Sequence, residues 1–343
     1  MANNSPYFRQ PASVQSVMLR VLVALLPGIA AYVWFFGIGI LIQILLASLA
    51  ALAGEALMLT IRRKPLGLFL GDGSALVTAW LVALTLPPIG PWWLVVVATL
   101  FAIVIVKHLY GGLGQNPFNP AMAAFCVMIV AFPQLMSQWP AVDGFGGLQN
   151  LDLQISLIFG SPAGREIDAF TMATSLDTLR TGLHGATESS VGAIVGGAQA
   201  PVFGHFGGRN WEWIALGYLL GGLWLIQQRI ITWHIPCAFI ATLAAIAGLF
   251  HLISPEQHAG ALFHLFSGGA MLGAFFIATD PVSAATTPRG KLIYAAGIAL
   301  LTWVIRSFGA YPDGIAFATL LLNIAVPLID MWTQPPVFGH KKR

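Results

Sequence analysis

Gly73-Ser-Ala75-Leu-Val-Thr-Ala79 opens an apolar run that closes at Pro87, and Gly268-Gly-Ala270-Met-Leu-Gly-Ala274 opens another that closes near Pro281. The two openings stand 195 positions apart. A further pair, Pro120-Ala-Met-Ala-Ala124-Phe125 and Pro312-Asp-Gly-Ile-Ala316-Phe317, stands 192 apart. Two nearly equal offsets in the same order point to one duplication; chance is the competing reading, since Gly and Ala recur in any membrane helix. The runs at 73 and 268 are also short, start at Gly and end at Pro. Interrupted segments in matching positions of two halves expose backbone that a ligand, water or neighbouring protein must satisfy, and so mark a site at the repeat interface.

Composition sets the solvent. Of the 343 residues 57% are hydrophobic and 8% charged, and mean hydropathy is +0.80, whereas a soluble domain is about 25% charged. The expected fold is an all-α polytopic membrane protein. Apolar runs of spanning length predict ten transmembrane helices near 18–36, 38–60, 73–90, 91–109, 119–136, 211–228, 232–252, 261–279, 291–308 and 313–332. Five helices per half is an odd number, so the second copy enters the membrane from the other side, giving an inverted five-plus-five repeat. The chain divides into an N-terminal tail 1–17, a first half 18–133, a long polar loop 134–210, a second half 211–332 and a basic tail 333–343. The N-terminal segment MANNSPYFRQPASVQSVMLR has no short apolar core closed by a cleavage site and reads as a mature cytoplasmic tail.

Cytoplasmic loops retain Lys and Arg. With the N-terminus inside, Arg9, Arg20, Arg62, Arg63, Lys64, Lys107, Arg229, Arg289, Lys291, Lys341, Lys342 and Arg343 fall on the cytoplasmic side, and Arg306 sits at a short outside loop. Arg165, Arg180 and Arg209 lie in the long loop, which the rule discounts. Both termini are thus expected inside and the loop periplasmic.

The net charge of +3 follows from this topology. The basic residues form no aromatic-interleaved polar surface, which argues against nucleic-acid binding. Cys126 and Cys237 sit in apolar helices without CxxC spacing, and the eight His residues have no HExxH-like spacing; packing is the expected role of the cysteines, and neither a metal site nor an iron–sulfur cluster held by this chain alone is expected. Glu55, near the end of the second run, is the main carboxylate within a span. Function and snorkelling to the interface compete for it, and Lys107 and His108 read as interface anchors.

Two groups of polar residues remain. Gly111-Gly-Leu-Gly-Gln115-Asn116-Pro-Phe-Asn119-Pro120 is a tight, backbone-exposing turn. It shares the expected cytoplasmic side with Asp72 and Asp280. Asn116, Asn119 and Asp280 are therefore candidates for a planar ligand, an isoalloxazine or a quinone, against the reading that these are ordinary capped turns. The other group is Asp168-Ala-Phe-Thr171-Met-Ala-Thr174-Ser-Leu176, in the long loop. A Thr hydroxyl there is a candidate covalent handle, against the reading that a Thr-rich loop happens to spell a short pattern.

Thr171-Met172-Ala173-Thr174 resembles the site at which the NqrB and RnfD family carries FMN, joined to the last Thr by a phosphodiester bond. Gln115 to Met122, Ala278 to Pro281 and Tyr311 to Gly314 look like further landmarks of that family along nearly the whole chain, and the short N-terminal tail favours the RnfD branch. Ser175 departs from the pattern, since many relatives carry Pro there; as that position only shapes the turn, attachment is expected to survive. The resemblance implies a bacterial inner-membrane subunit of the Rnf complex, which exchanges electrons between ferredoxin or flavodoxin and NAD while moving Na+ or H+. Thr174 would hold FMN covalently as a relay, with Thr171, Ser175 and Asp168 as neighbours and a second, non-covalent flavin such as riboflavin elsewhere. The implied partners are a second flavoprotein subunit, iron–sulfur subunits and membrane lipid. The competing assignments are an NqrB-like subunit of a Na+-translocating NADH:quinone reductase and a secondary transporter without a redox cofactor.

Overall fold

The computed structural model describes residues 13–142, 146–147, 150–160, 170–185, 190–197 and 200–335. Among the described residues five helices are long and apolar enough to cross a membrane: α1 (Val14–Phe36), α2 (Gly39–Ile61), α12 (His234–Ile253), α15 (Pro288–Phe308) and α16 (Ile315–Thr333). Shorter apolar helices fill the other runs: α4 (Ser74–Thr85), α5 (Trp92–His108), α6 (Pro120–Ala131) and α11 (Trp211–Gln227). The chain is a mostly helical polytopic membrane protein, with large apolar side chains such as Trp34, Leu252 and Trp332 facing outward, as lipid contact requires.

The run at 73–90 is helical only to Thr85. Pro87 and Pro88 cannot continue the ladder, and twelve residues rise about 18 Å, short of the bilayer core. The remaining depth is irregular backbone, which must find partners within the protein. Gln43 Nε2, from α2, supplies one by donating to the Gly90 carbonyl at 2.7 Å.

The run at 261–279 is broken as well. Short α13 (Ala261–Phe266) stops at Ser267, and α14 (Ala270–Leu272) continues as π-helical Gly273–Ile277. In the first half, short α3 (Leu66–Leu70) precedes α4 in the same way. Both breaks turn at a glycine with positive φ, 77° at Gly73 and 63° at Gly268, a conformation that L side chains disfavour. These are the two residues that the 195-position offset aligns.

The first helices of the halves, α1 and α11, pack on each other along small residues. A Cβ on Gly221 would lie 1.8 Å from the Ala24 carbonyl oxygen, so only glycine permits this backbone approach. The last helices, α6 and α16, also meet, while α2 packs on α5 as α12 packs on α15. One continuous apolar core joins both halves.

The reading of Lys107 and His108 as interface anchors, and the snorkelling alternative for Glu55, are not what the structure contains. All three are buried, at 2–3% exposure. Lys107 Nζ reaches Glu55 Oε2 at 2.8 Å, and His108 Nε2 lies 3.1 Å from the same oxygen. A carboxylate and an ammonium enclosed together compensate each other, so neither need snorkel.

Candidate functional site

Short α7 (Pro133–Met136) leads into the long loop, and α10 (Val191–Gly196) lies within it. Helix α8 (Leu151–Phe159) carries Gln154, whose Oε1 accepts from the Gly39 amide at 2.6 Å and caps the start of α2. Strand β1 (Trp139–Pro140) pairs antiparallel with β2 (Thr171–Met172), setting Pro140 opposite Thr171. This ribbon delivers Thr174 to the first turn of α9 (Ser175–His184), where Thr174 is the N-cap and its hydroxyl accepts from the Asp177 amide at 3.3 Å. The hydroxyl thus has a local structural task whatever else it carries. The position also suits an anion, because the free N–H groups and the dipole of a helix start favour negative charge. Asp177, in the same turn, opposes it, and Arg180 pairs with Asp177 at 3.2 Å.

Thr174 lines a cavity open at its mouth, whose unfilled space, counted out into the open solvent, is about 1080 Å³. Trp211 centres one wall, with Tyr32 at 5.4 Å and 87°, Trp139 at 5.3 Å and 80°, and Phe36 behind at 4.8 Å. The hydroxyls of Tyr32 and Tyr218, both buried, make no hydrogen bond among the described residues, and both residues line the cavity. A planar aromatic ligand with polar edges fits this set: flat apolar walls, two orphaned hydroxyls inside and a nucleophilic hydroxyl on the lining.

The one charged side chain among the described lining residues is Asp313. Arg306 Nε donates to its Oδ1 at 3.1 Å and the Gly269 amide to its Oδ2 at 2.8 Å. Arg306 also donates to the carbonyls of His264 and Ser267. So the arginine read as a residue of a short outside loop is buried, 5% exposed, and fastens the helix break at Ser267. Gly268 sits where these parts converge, since a Cβ there would lie 2.5 Å from Asp313 Oδ2 and 2.6 Å from Leu176 Cδ1.

Of the residues singled out in the sequence, Thr174 and Ser175 line this cavity, and Ser175 is buried. Thr171 is in β2 and is not among the lining residues. Asp168 lies outside the described residues. Asp313, Arg306, Tyr32, Trp139 and Trp211 were missed as site residues. Arg306 and Asp313 carried a usable signal: opposite charges seven positions apart at a helix junction in a chain with few charges.

Asn116, Asn119 and Asp280 are brought together on a separate cavity, of about 900 Å³, which Ser74 and Lys107 also line. Asn119 is largely spent on the fold: its Oδ1 caps α6 at Met122, and its Nδ2 reaches the Ile277 carbonyl at 3.2 Å. Asn116 Nδ2 donates to the Phe118 carbonyl, leaving its Oδ1 available. Burial raises the Asp280 carboxyl above the usual carboxylate range, against the pull of hydrogen bonds from Ser283 and the Val282 amide.

The sequence matches the NQR2, RnfD, RnfE family over residues 1–339. It is 49% identical over 350 residues to a protein of Aliivibrio salmonicida named as a subunit of the ion-translocating oxidoreductase complex, covering 99% of this chain and 98% of that one. The same-named protein of Aeromonas salmonicida is 49% identical over 351 residues, covering 99% of each chain. That of Escherichia fergusonii is 47% identical over 350 residues, covering 99% and 98%.

Proposed function

The chain belongs to the NQR2, RnfD, RnfE family, and on that premise we propose that it is a membrane subunit of an ion-translocating oxidoreductase complex in which Thr174 holds FMN through a phosphodiester bond. The observation that carries this reading is the position of Thr174: a helix N-cap whose side chain lines a cavity walled by aromatic rings. An ester at the start of α9 leaves the phosphate beside free helix N–H groups. The Trp211, Tyr32 and Trp139 rings give the cavity an apolar wall, and the orphaned hydroxyls of Tyr32 and Tyr218 are available to polar edges of a bound ring. When bound, FMN accepts and passes on electrons; the chain contributes residence, orientation and electrostatics. No closed catalytic cycle is assigned to the subunit alone.

The basic residues support termini on the cytoplasmic side and the loop on the periplasmic side of a bacterial inner membrane. The cavity lined by Asn116, Asn119 and Asp280 then opens toward the cytoplasmic side. It is the candidate place for a second, non-covalent flavin or a quinone, with the Asn116 Oδ1 and the Asp280 carboxyl as its polar groups. A second flavoprotein subunit outside and iron–sulfur subunits inside complete the proposed electron path.

The direct test is flavin fluorescence on a denaturing gel, from cells that also express the flavin transferase. A fluorescent band that disappears in Thr174→Ala and persists in Thr171→Ala is the expected result. A dark wild-type band would move the assignment to a secondary transporter, which has no need of the Thr motif.

A further inference from the structure

We infer that Asp313, clamped by Arg306, sets the reduction potential of the flavin held at Thr174, an inference that rests on the function proposed above. The cavity of Thr174 is mostly apolar, and the Asp313 carboxylate is the single charged group on its described lining. The countercharge stands on the other side. The Arg306 side chain is 1% exposed against 24% for Asp313, and Arg306 lines a different cavity, the one flanked by His258 and His264. The ion pair therefore presents its negative end to the flavin cavity.

The carboxylate is also fixed. Arg306 Nε and the Gly269 amide hold its two oxygens, and its Oδ1 further accepts from the Ile315 amide at 3.3 Å. It cannot swing away without leaving the buried Arg306 charge uncompensated and a helix-break amide unpaired. Adding electrons to a flavin adds negative charge to the ring. A fixed carboxylate in a cavity of low dielectric opposes that charge far more strongly than it would in water, so Asp313 holds the potential down. Arg306 acts through Asp313 and is a positioning residue.

The test is a spectroelectrochemical titration of the full-length subunit, purified with its flavin attached, in wild type, Asp313→Asn, Asp313→Ser and Asp313→Glu. Both neutral variants are expected to titrate at a clearly more positive potential, and the Glu variant, which restores the charge, to return toward the wild-type value. Two neutral variants are used because one of them could fail to fold; the Asn side-chain oxygen can still accept from the Gly269 amide. An unchanged potential in a neutral variant that is folded and fluorescent overturns the inference while leaving the Thr174 assignment standing. Loss of the flavin from a folded neutral variant overturns it too, since Asp313 would then serve attachment. A wild-type chain dark on the denaturing gel is the separate outcome that removes the underlying functional reading.

Discussion

Lys107 Nζ lies 2.9 Å from Ser74 Oγ, at the first turn of α4, and Arg306 Nη2 lies 3.1 Å from the carbonyl of Ser267, just before α14. In each half a buried cation near the end of the fourth run fastens the break that opens the third. The neighbouring acid differs in place: Asp72 Oδ1 accepts from Ser74, whereas Asp313 comes from the far side of the next turn. Broken helices at membrane depth need such partners, because lipid offers none.

In the first half, truncating Lys107 to Ala should cost up to about 3–5 kcal/mol, because it leaves the buried Glu55 with only His108 beside it among the described residues. The double variant Glu55→Gln with Lys107→Met should lose less than Lys107→Ala alone. Thermal unfolding of the detergent-solubilised subunit measures both. Equal losses would mean that the pair is not coupled.

Gly268→Ala sets a methyl carbon 2.5 Å from Asp313 Oδ2 on a backbone of φ 63°, whereas Gly114→Ala, at φ 86°, meets nothing within 4 Å. The Gly114 variant carries only the left-handed penalty of roughly 1–2 kcal/mol. The Gly268 variant adds a clash and should fall further in melting temperature.

The aromatic wall predicts shielding. Trp139→Ala removes the ring packed edge-on to Trp211 and should increase quenching of the bound flavin by iodide severalfold in a Stern–Volmer titration. Quenching equal to wild type would place the ring elsewhere.

Topology can be read with a membrane-impermeant maleimide in a Cys237→Ser background. Thr181→Cys should label in intact spheroplasts, and Lys64→Cys only after the membrane is broken; both positions are exposed. The reverse pattern would invert the orientation.

Much of the fold was legible because apolar runs and Gly/Pro punctuation are local signals. Gly73 and Gly268 were aligned by an offset alone, and both prove to be positive-φ turns at helix breaks. Lengths were less legible: 73–90 reads as one run, yet Pro87 and Pro88 end the helix early, and hydropathy does not register the loss of an N–H. The stretch 261–279 hid its break for a related reason, since Ser267-Gly268-Gly269 is too short a polar interruption to lower the hydropathy of the run around it. The site was half visible. Thr174 stood out as a motif, but its aromatic wall draws Tyr32, Trp139 and Trp211 from three distant segments, and nothing local to any of them in the sequence points to the others. Glu55 and Lys107 meet across 52 positions, a pairing that only the packing of α2 on α5 creates, so Lys107 alone read as an interface anchor and Glu55 stayed open between function and snorkelling.

The account turns on Thr174, and the N-cap role supplies its control. Losing the cap should cost about 1 kcal/mol, so Thr174→Ala should still fold and reach the membrane. The decisive measurement is its flavin fluorescence on a denaturing gel, beside wild type and Thr171→Ala from cells expressing the flavin transferase. A dark Thr174→Ala band beside two fluorescent ones is predicted; fluorescence that persists in Thr174→Ala, or a dark wild-type band, would contradict it.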